Sequence, residues 1–301
     1  MTLAAIDPTA AHRQGVVFVF AAGVLWSTIA LSIRMLDDAV VWQILLYRSI
    51  GLAAFLFFVI RWRSGVSPFT LARRAGKPAI VGALALILAY GGAIYALQVT
   101  SVASAVLLFA TSPILAAILG RVFLGERIRR GTWIASAVVL VGIGVMVSDS
   151  TGQVDPRGSL AALGSALGFA VFSVALRWGK TQDMLPAVFL SGIFAIVLTV
   201  VICVAMGLPL ILGARDAGIT LGMGVYQLGL GMILYTVGSR SLPAAELTLL
   251  SLAEVLLGPL WVYLFLGEAA TTTTLIGGAI LLVAIAGNAI TGTRLRLRAG
   301  T

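Results

Sequence analysis

Phe123-Leu-Gly-Glu126 closes one long apolar run of the chain, and Phe265-Leu-Gly-Glu268 closes another 142 residues later. Each reads as a helix-turn-helix junction, because a glycine lets the backbone reverse where a side chain would clash. Working outward from them, apolar stretches bounded by charge or by Pro/Gly fall at 15–35, 40–60, 79–99, 102–122, 132–148, 159–178, 186–206, 218–238, 244–266 and 273–291. About 20 helical residues cross a bilayer core of about 30 Å, so each stretch is one span and the quoted motifs end the fourth and the ninth. Shifting the overlay by one residue places Gly15, Trp26 and Arg34 on Gly158, Phe169 and Arg177, with Tyr95 near Tyr235. Five spans per repeat is an odd number, so the second repeat enters the membrane from the other side. The loops agree: 61–78 carries five Lys/Arg against one in 207–217, and 121–131 carries four against none in 267–272. The expected fold is therefore an all-α integral membrane protein of ten transmembrane helices, built as two inverted five-helix repeats. Its parts are a tail (1–14), a first repeat (15–148), a connecting loop (149–157), a second repeat (158–291) and a closing tail (292–301).

Composition supports the same class. Of 301 residues, 60% are hydrophobic and 10% charged, with mean hydropathy +1.09, and no sizeable soluble domain fits beside ten spans. One histidine, His12, and one cysteine, Cys203, cannot build a zinc or haem site, a disulfide, or a Ser–His or Cys–His catalytic pair. No phosphate-binding or dinucleotide motif is present. No metal, no cofactor and no enzymatic activity are expected. The net charge of +9 is explained by sidedness rather than by nucleic acid. Sixteen of the twenty Lys/Arg (at 13, 61–77, 121–130, 177–180, 240 and 294–298) fall on one side, and only Arg34, Arg157 and Arg215 on the other. The positive-inside rule then places both termini in the cytoplasm, with the first span as its own insertion signal.

Arg48 stands near the middle of the second span, where a charge costs about 2.5–3.5 kcal/mol on insertion scales. It is either a cavity group that holds a carboxylate or phosphate, or a structural residue paired with an internal carboxylate or carbonyls. Glu254 is the only carboxylate near mid-span. It is a candidate for a substrate ammonium group or for a proton, or else the structural partner of Arg48 or a Glu hydrogen-bonded to a neighbouring helix. Glu246, at the start of the same span, reads as a favourable charge at a helix N-terminus. Pro113 and Pro259 interrupt the fourth and ninth spans, and broken helices at matching places in two repeats point to a midplane transport site. Aromatic and polar side chains at mid-depth complete the candidate substrate-binding set: Trp26, Ser27, Tyr90, Tyr95, Ser112, Tyr226, Gln227 and Trp261, with Thr28 and Tyr235 beside them. Gly164/Gly168 and Gly218/Gly222 have the spacing that lets helices approach closely. Cys203 reads as a small packing residue.

The two five-helix halves, the entry Thr100-Ser-Val-Ala-Ser-Ala105, the internal Pro113, and Phe123-Leu-Gly-Glu-Arg-Ile128 with its partial copy Phe265-Leu-Gly-Glu-Ala269 resemble the ten-span EamA-type transporters of the drug/metabolite transporter superfamily. The resemblance covers about residues 15–291 and departs from symmetry at Ala269, opposite Arg127. Within the superfamily the chain is similar to YddG-like bacterial amino-acid exporters. That similarity implies outward movement of neutral or aromatic amino acids across an inner membrane, through a central cavity that opens to each side in turn. Export or exchange of other metabolites or drugs is the alternative; a membrane-embedded enzyme or a channel fits less well, for want of clustered buried carboxylates or charge rings. The expected partners are a small-molecule substrate and the bilayer, with no nucleic acid, for a chain acting as a monomer.

Overall fold

A computed structural model describes residues 8–100, 102–148, 155–267 and 271–299. All regular structure among them is helical: α1 (Pro8–Ser27), α2 (Ile29–Arg34), α3 (Val41–Ser64), α4 (Pro68–Ala75), α5 (Lys77–Val99), α6 (Val102–Phe109), α7 (Ser112–Leu124), α8 (Arg130–Met146), α9 (Pro156–Trp178), α10 (Leu185–Ala205), α11 (Ala214–Gly222), α12 (Gly231–Gly238), α13 (Ala244–Ser251), α14 (Ala253–Leu266) and α15 (Thr272–Ala299). A π-helical stretch, Met223–Leu230, joins α11 to α12. Nine paths among the described residues are long and apolar enough to cross a membrane. The tenth, α8, has 17 residues, which at 1.5 Å per residue reach about 26 Å, at the short end for a span. With α1–α2, α6–α7, α11–α12 and α13–α14 each taken as one path, ten spans follow in the expected order.

Local chemistry sets the boundaries. Proline occupies the first turn of α4, α5, α7, α9 and α10, where its missing N–H has no helical partner to lose. Asp155 caps α9 by accepting from the N–H groups of Arg157 and Gly158. The two repeated glycines end α7 and α14 in the left-handed region, Gly125 at φ 64° and Gly267 at φ 69°, as glycine alone does readily.

Three spans are interrupted. The fourth breaks at Ala110–Thr111, just before Pro113, whose ring removes the bond that Phe109 would accept. Thr111 Oγ1 turns back to the Leu108 carbonyl at 2.6 Å. The ninth breaks at Leu252, the repeat position of Ala110. That site lies seven residues before Pro259, around which α14 is continuous; the Pro259 side chain lies outside the described residues. Thr248 and Ser251 supply a different cause, since their hydroxyls bond carbonyls of the preceding turn and compete with the helix ladder. The first span also breaks, at Thr28, where Ser27 and Thr28 bond the carbonyls of Val24 and Leu25; nothing in the sequence reading called for that.

Packing follows an exchange symmetry. Span 3 packs on span 6 and span 8 on span 1; span 4 packs on span 6 and span 9 on span 1; span 2 packs on span 8 and span 7 on span 3. Spans 2, 4 and 5 meet their own equivalents, 7, 9 and 10. Swapping the halves leaves this pattern unchanged, as a two-fold axis in the membrane plane requires. Trp26 and Phe169, equivalent under the repeat, have ring centroids 6.1 Å apart, so they sit at that axis. Two glycines bring span 8 backbone-to-backbone against α3: a Cβ at Gly224 would lie 2.2 Å from the Arg48 carbonyl oxygen, and one at Gly51 would lie 2.4 Å from that of Leu221. Gly168 makes a similar approach to Ala85, whereas Gly218 and Gly222 have nothing nearby, so that expected pair is not a contact.

Candidate substrate site and the two faces

At mid-depth the chain buries polar atoms that it does not satisfy. Arg48 Nε, Tyr90 Oη, Trp26 Nε1, Gln227 Oε1 and Thr236 Oγ1 are all buried without a hydrogen-bond partner. A buried polar group left unpaired costs about 1–3 kcal/mol, so these atoms are candidates for binding a polar group. The Arg48 guanidinium carbon lies 5.6 Å from the Tyr90 ring centroid, a cation–π contact. Arg48 and Glu254 form no ion pair with each other, so the structural-pair reading of these two charges is set aside. Arg48 is buried and Glu254 half-buried, and neither has an ion-pair partner among the described residues.

An aromatic wall belongs to the core against which Tyr90 packs. Trp26, Phe169, Phe172 and Tyr235 stack and tilt on one another at centroid separations of 5.3–6.4 Å, and the Tyr235 hydroxyl bonds Ser173 at 2.7 Å. Other predicted residues are already engaged. Trp261 donates to Ser27 Oγ at 2.7 Å, Tyr226 bonds Ser32 at 2.7 Å, and Gln227 donates to Thr28 at 3.2 Å. Ser112 is buried at the start of α7 beside Pro113. Tyr95 is 39% exposed and joins none of these contacts. Tyr226 and Gln227 both lie in the π-helical stretch, a form of backbone concentrated at functional sites. Ser173, Thr236 and Phe169 belong to this region and were not singled out as site residues. A hydroxyl inside an apolar run was the available signal for the first two.

The two faces are tied differently. On the face carrying most of the Lys/Arg, hereafter the basic face, Arg177 Nε donates to Glu126 Oε1 at 2.9 Å, and its Nη1 donates to the carbonyls of Ser239 and Arg240, both at 2.9 Å. Glu126 Oε2 accepts the Ala244 N–H at 3.1 Å. Glu246 is no mere terminal charge: Arg129 donates to its Oε1 from Nε at 3.1 Å and from Nη2 at 2.7 Å, and His12 Nε2 stands 3.9 Å from its other oxygen. Asn288 completes that cluster by accepting from Arg129 and from Thr132. On the opposite face Asp216 accepts the N–H groups of Asp37, Asp38 and Ala39 at 3.0–3.1 Å, and Gln43 donates to the Pro209 carbonyl at 2.6 Å. Glu268, the repeat copy of Glu126, lies outside the described residues.

Among the described residues the broken spans pack on each other at one end. At the basic face α7 packs against α13. Their symmetry-related halves, α14 and α6, make no comparable contact among the described residues.

The sequence profile of the EamA-like transporter family matches this chain twice, over residues 13–148 and 156–290. A relative from Bacillus subtilis (strain 168), an uncharacterized transporter, is 28% identical over 182 residues, which are 60% of this chain. The match spans 62% of that relative's length. A chain of known crystal structure superposes with a TM-score of 0.77 at 22% identity, covering 95% of this chain and 99% of the other, a likeness of fold.

Proposed function

The chain belongs to the EamA-like transporter family, and we propose that it is a secondary transporter exporting neutral or aromatic amino acids across a bacterial inner membrane. One observation carries the choice of cargo: the buried Arg48 guanidinium over Tyr90 and the mid-span carboxylate of Glu254 both lack an ion-pair partner among the described residues. A zwitterionic amino acid offers one opposite charge to each, and the aromatic wall offers its side chain an apolar surface. The closed basic face and the looser opposite end of spans 4 and 9 support alternating access. Uptake of labelled amino acids, nucleosides and organic cations into empty and amino-acid-preloaded proteoliposomes tests the reading. Stimulation by preloaded neutral amino acids is expected, and movement of nucleosides or cations alone overturns the cargo.

The basic face is assigned to the cytoplasm, with both termini there. Single cysteines at the exposed positions of Arg74 and Asp38, in a chain whose Cys203 is replaced by Ser, report it in intact cells. An impermeant thiol reagent should label position 38 at once and position 74 only after permeabilisation. The reverse order refutes the assignment.

A further inference from the structure

Span 6 packs on spans 3 and 4, and span 1 on spans 8 and 9. Glu126 and Arg177 both belong to the first group, so their ion pair at 2.9 Å holds nothing across the divide. What crosses is their remaining bonding capacity. Arg177 reaches two carbonyls at the end of span 8, and Glu126 reaches the N–H that opens α13 in span 9. Those backbone groups are the ones a helix end leaves unpaired, and their partial charges match the side chains that meet them. Directly behind lies an apolar plug of fully or almost fully buried residues, Ala116, Ala170, Val174 and Ala244, contributed by spans 4, 6 and 9. Separating the two groups at this face uncovers the plug and breaks all three charge-assisted bonds. The repeat supplies the same residue types at the equivalent sequence positions, Arg34 for Arg177 and Glu268 for Glu126.

We propose that the Glu126–Arg177 pair is the latch of the basic face: a positioning pair that holds spans 4 and 6 onto spans 8 and 9 while that face is shut, and lets go when it opens. The inference rests on the alternating-access reading above, but its test needs no knowledge of the cargo. A cysteine at Ala116, in the Cys203→Ser chain, is fully buried here and meets reagent only when the basic face opens. Its labelling rate in proteoliposomes, with reagent supplied to the basic face, reads the latch directly.

Glu126→Gln is expected to raise that rate about tenfold, and Ala244→Pro about threefold. The second variant deletes the donor N–H at the first helical position, where proline is tolerated, and leaves the ion pair whole, so it serves even if Glu126→Gln folds poorly. The exchanged pair Glu126→Arg/Arg177→Glu separates the latch from a structural salt bridge. It restores the ion pair but turns a donor toward the Ala244 N–H and an acceptor toward the two carbonyls. Fast labelling must persist in it. Parental labelling rates in Ala244→Pro, or a return to the parental rate in the exchanged pair, would overturn the latch. Transport of the proposed cargo that fails in the parent protein while these rates still respond as expected would count against the cargo and leave the latch standing.

Discussion

Arg48→Gln is expected to reach the membrane folded and to transport neutral amino acids about 100-fold less efficiently. Among the described residues no carboxylate pairs with the guanidinium, so its removal exposes no uncompensated partner and relieves the cost of holding a charge in the span. What it loses is the site's cation. Two charge-assisted bonds to a substrate carboxylate supply about 3 kcal/mol or more, and Gln offers neither the charge nor the fork. Glu254→Gln should weaken recognition of the ammonium group while sparing the carboxylate, so esters and free acids respond oppositely to the two changes. Counterflow rates for each variant, at matched amounts of monodisperse protein, check this. Normal transport of every amino acid by both variants sinks the cargo assignment and leaves the aromatic wall of Trp26 and Tyr235 as the remaining candidate.

Arg129→Leu is expected to act on the fold instead. The Glu246 side chain is only 5% exposed and takes both of its close bonds from Arg129. Deleting the cation from such a pair typically costs about 3–5 kcal/mol, because a buried carboxylate remains without its partner. Adding Glu246→Gln removes the stranded charge, and the double variant should recover most of the loss. Thermal unfolding in detergent distinguishes the cases. A double variant as unstable as Arg129→Leu alone would show that the pair is not the source of the effect.

These contrasting outcomes mark what the sequence made legible. Spans and repeats were readable because the bilayer enforces length and polarity, and because a motif such as Phe-Leu-Gly-Glu states its own backbone geometry: the glycines at 125 and 267 both adopt the left-handed turn. The break of span 4 beside Pro113 was readable; that of span 9 was not, because it falls at Leu252, where hydroxyls of the preceding turn bond the backbone, and not at Pro259. Pairings of charges were not readable. Arg48 and Glu254 are the two mid-span charges and look like partners, yet they remain apart, while Glu246, which reads as an ordinary helix-start residue, receives Arg129 from another span. Which side chains meet across spans depends on rotation about each helix axis, and apolar runs with little amphipathic contrast carry almost no information about that angle.

The packing of span 1 on spans 8 and 9, and of span 6 on spans 3 and 4, also dictates an order of assembly. Neither half finishes its own core, since each lends its first helix to the other. At ordinary synthesis rates of 5–20 residues per second, span 1 waits on the order of ten seconds or longer in the bilayer before span 8 is made. During that wait Trp26 faces lipid, or the insertion machinery, instead of Tyr235. A chain stopped after span 5 therefore has the hydrophobicity to stay in the membrane but not the contacts to resist quality control, and the protein acquires its native stability only near the end of its own translation.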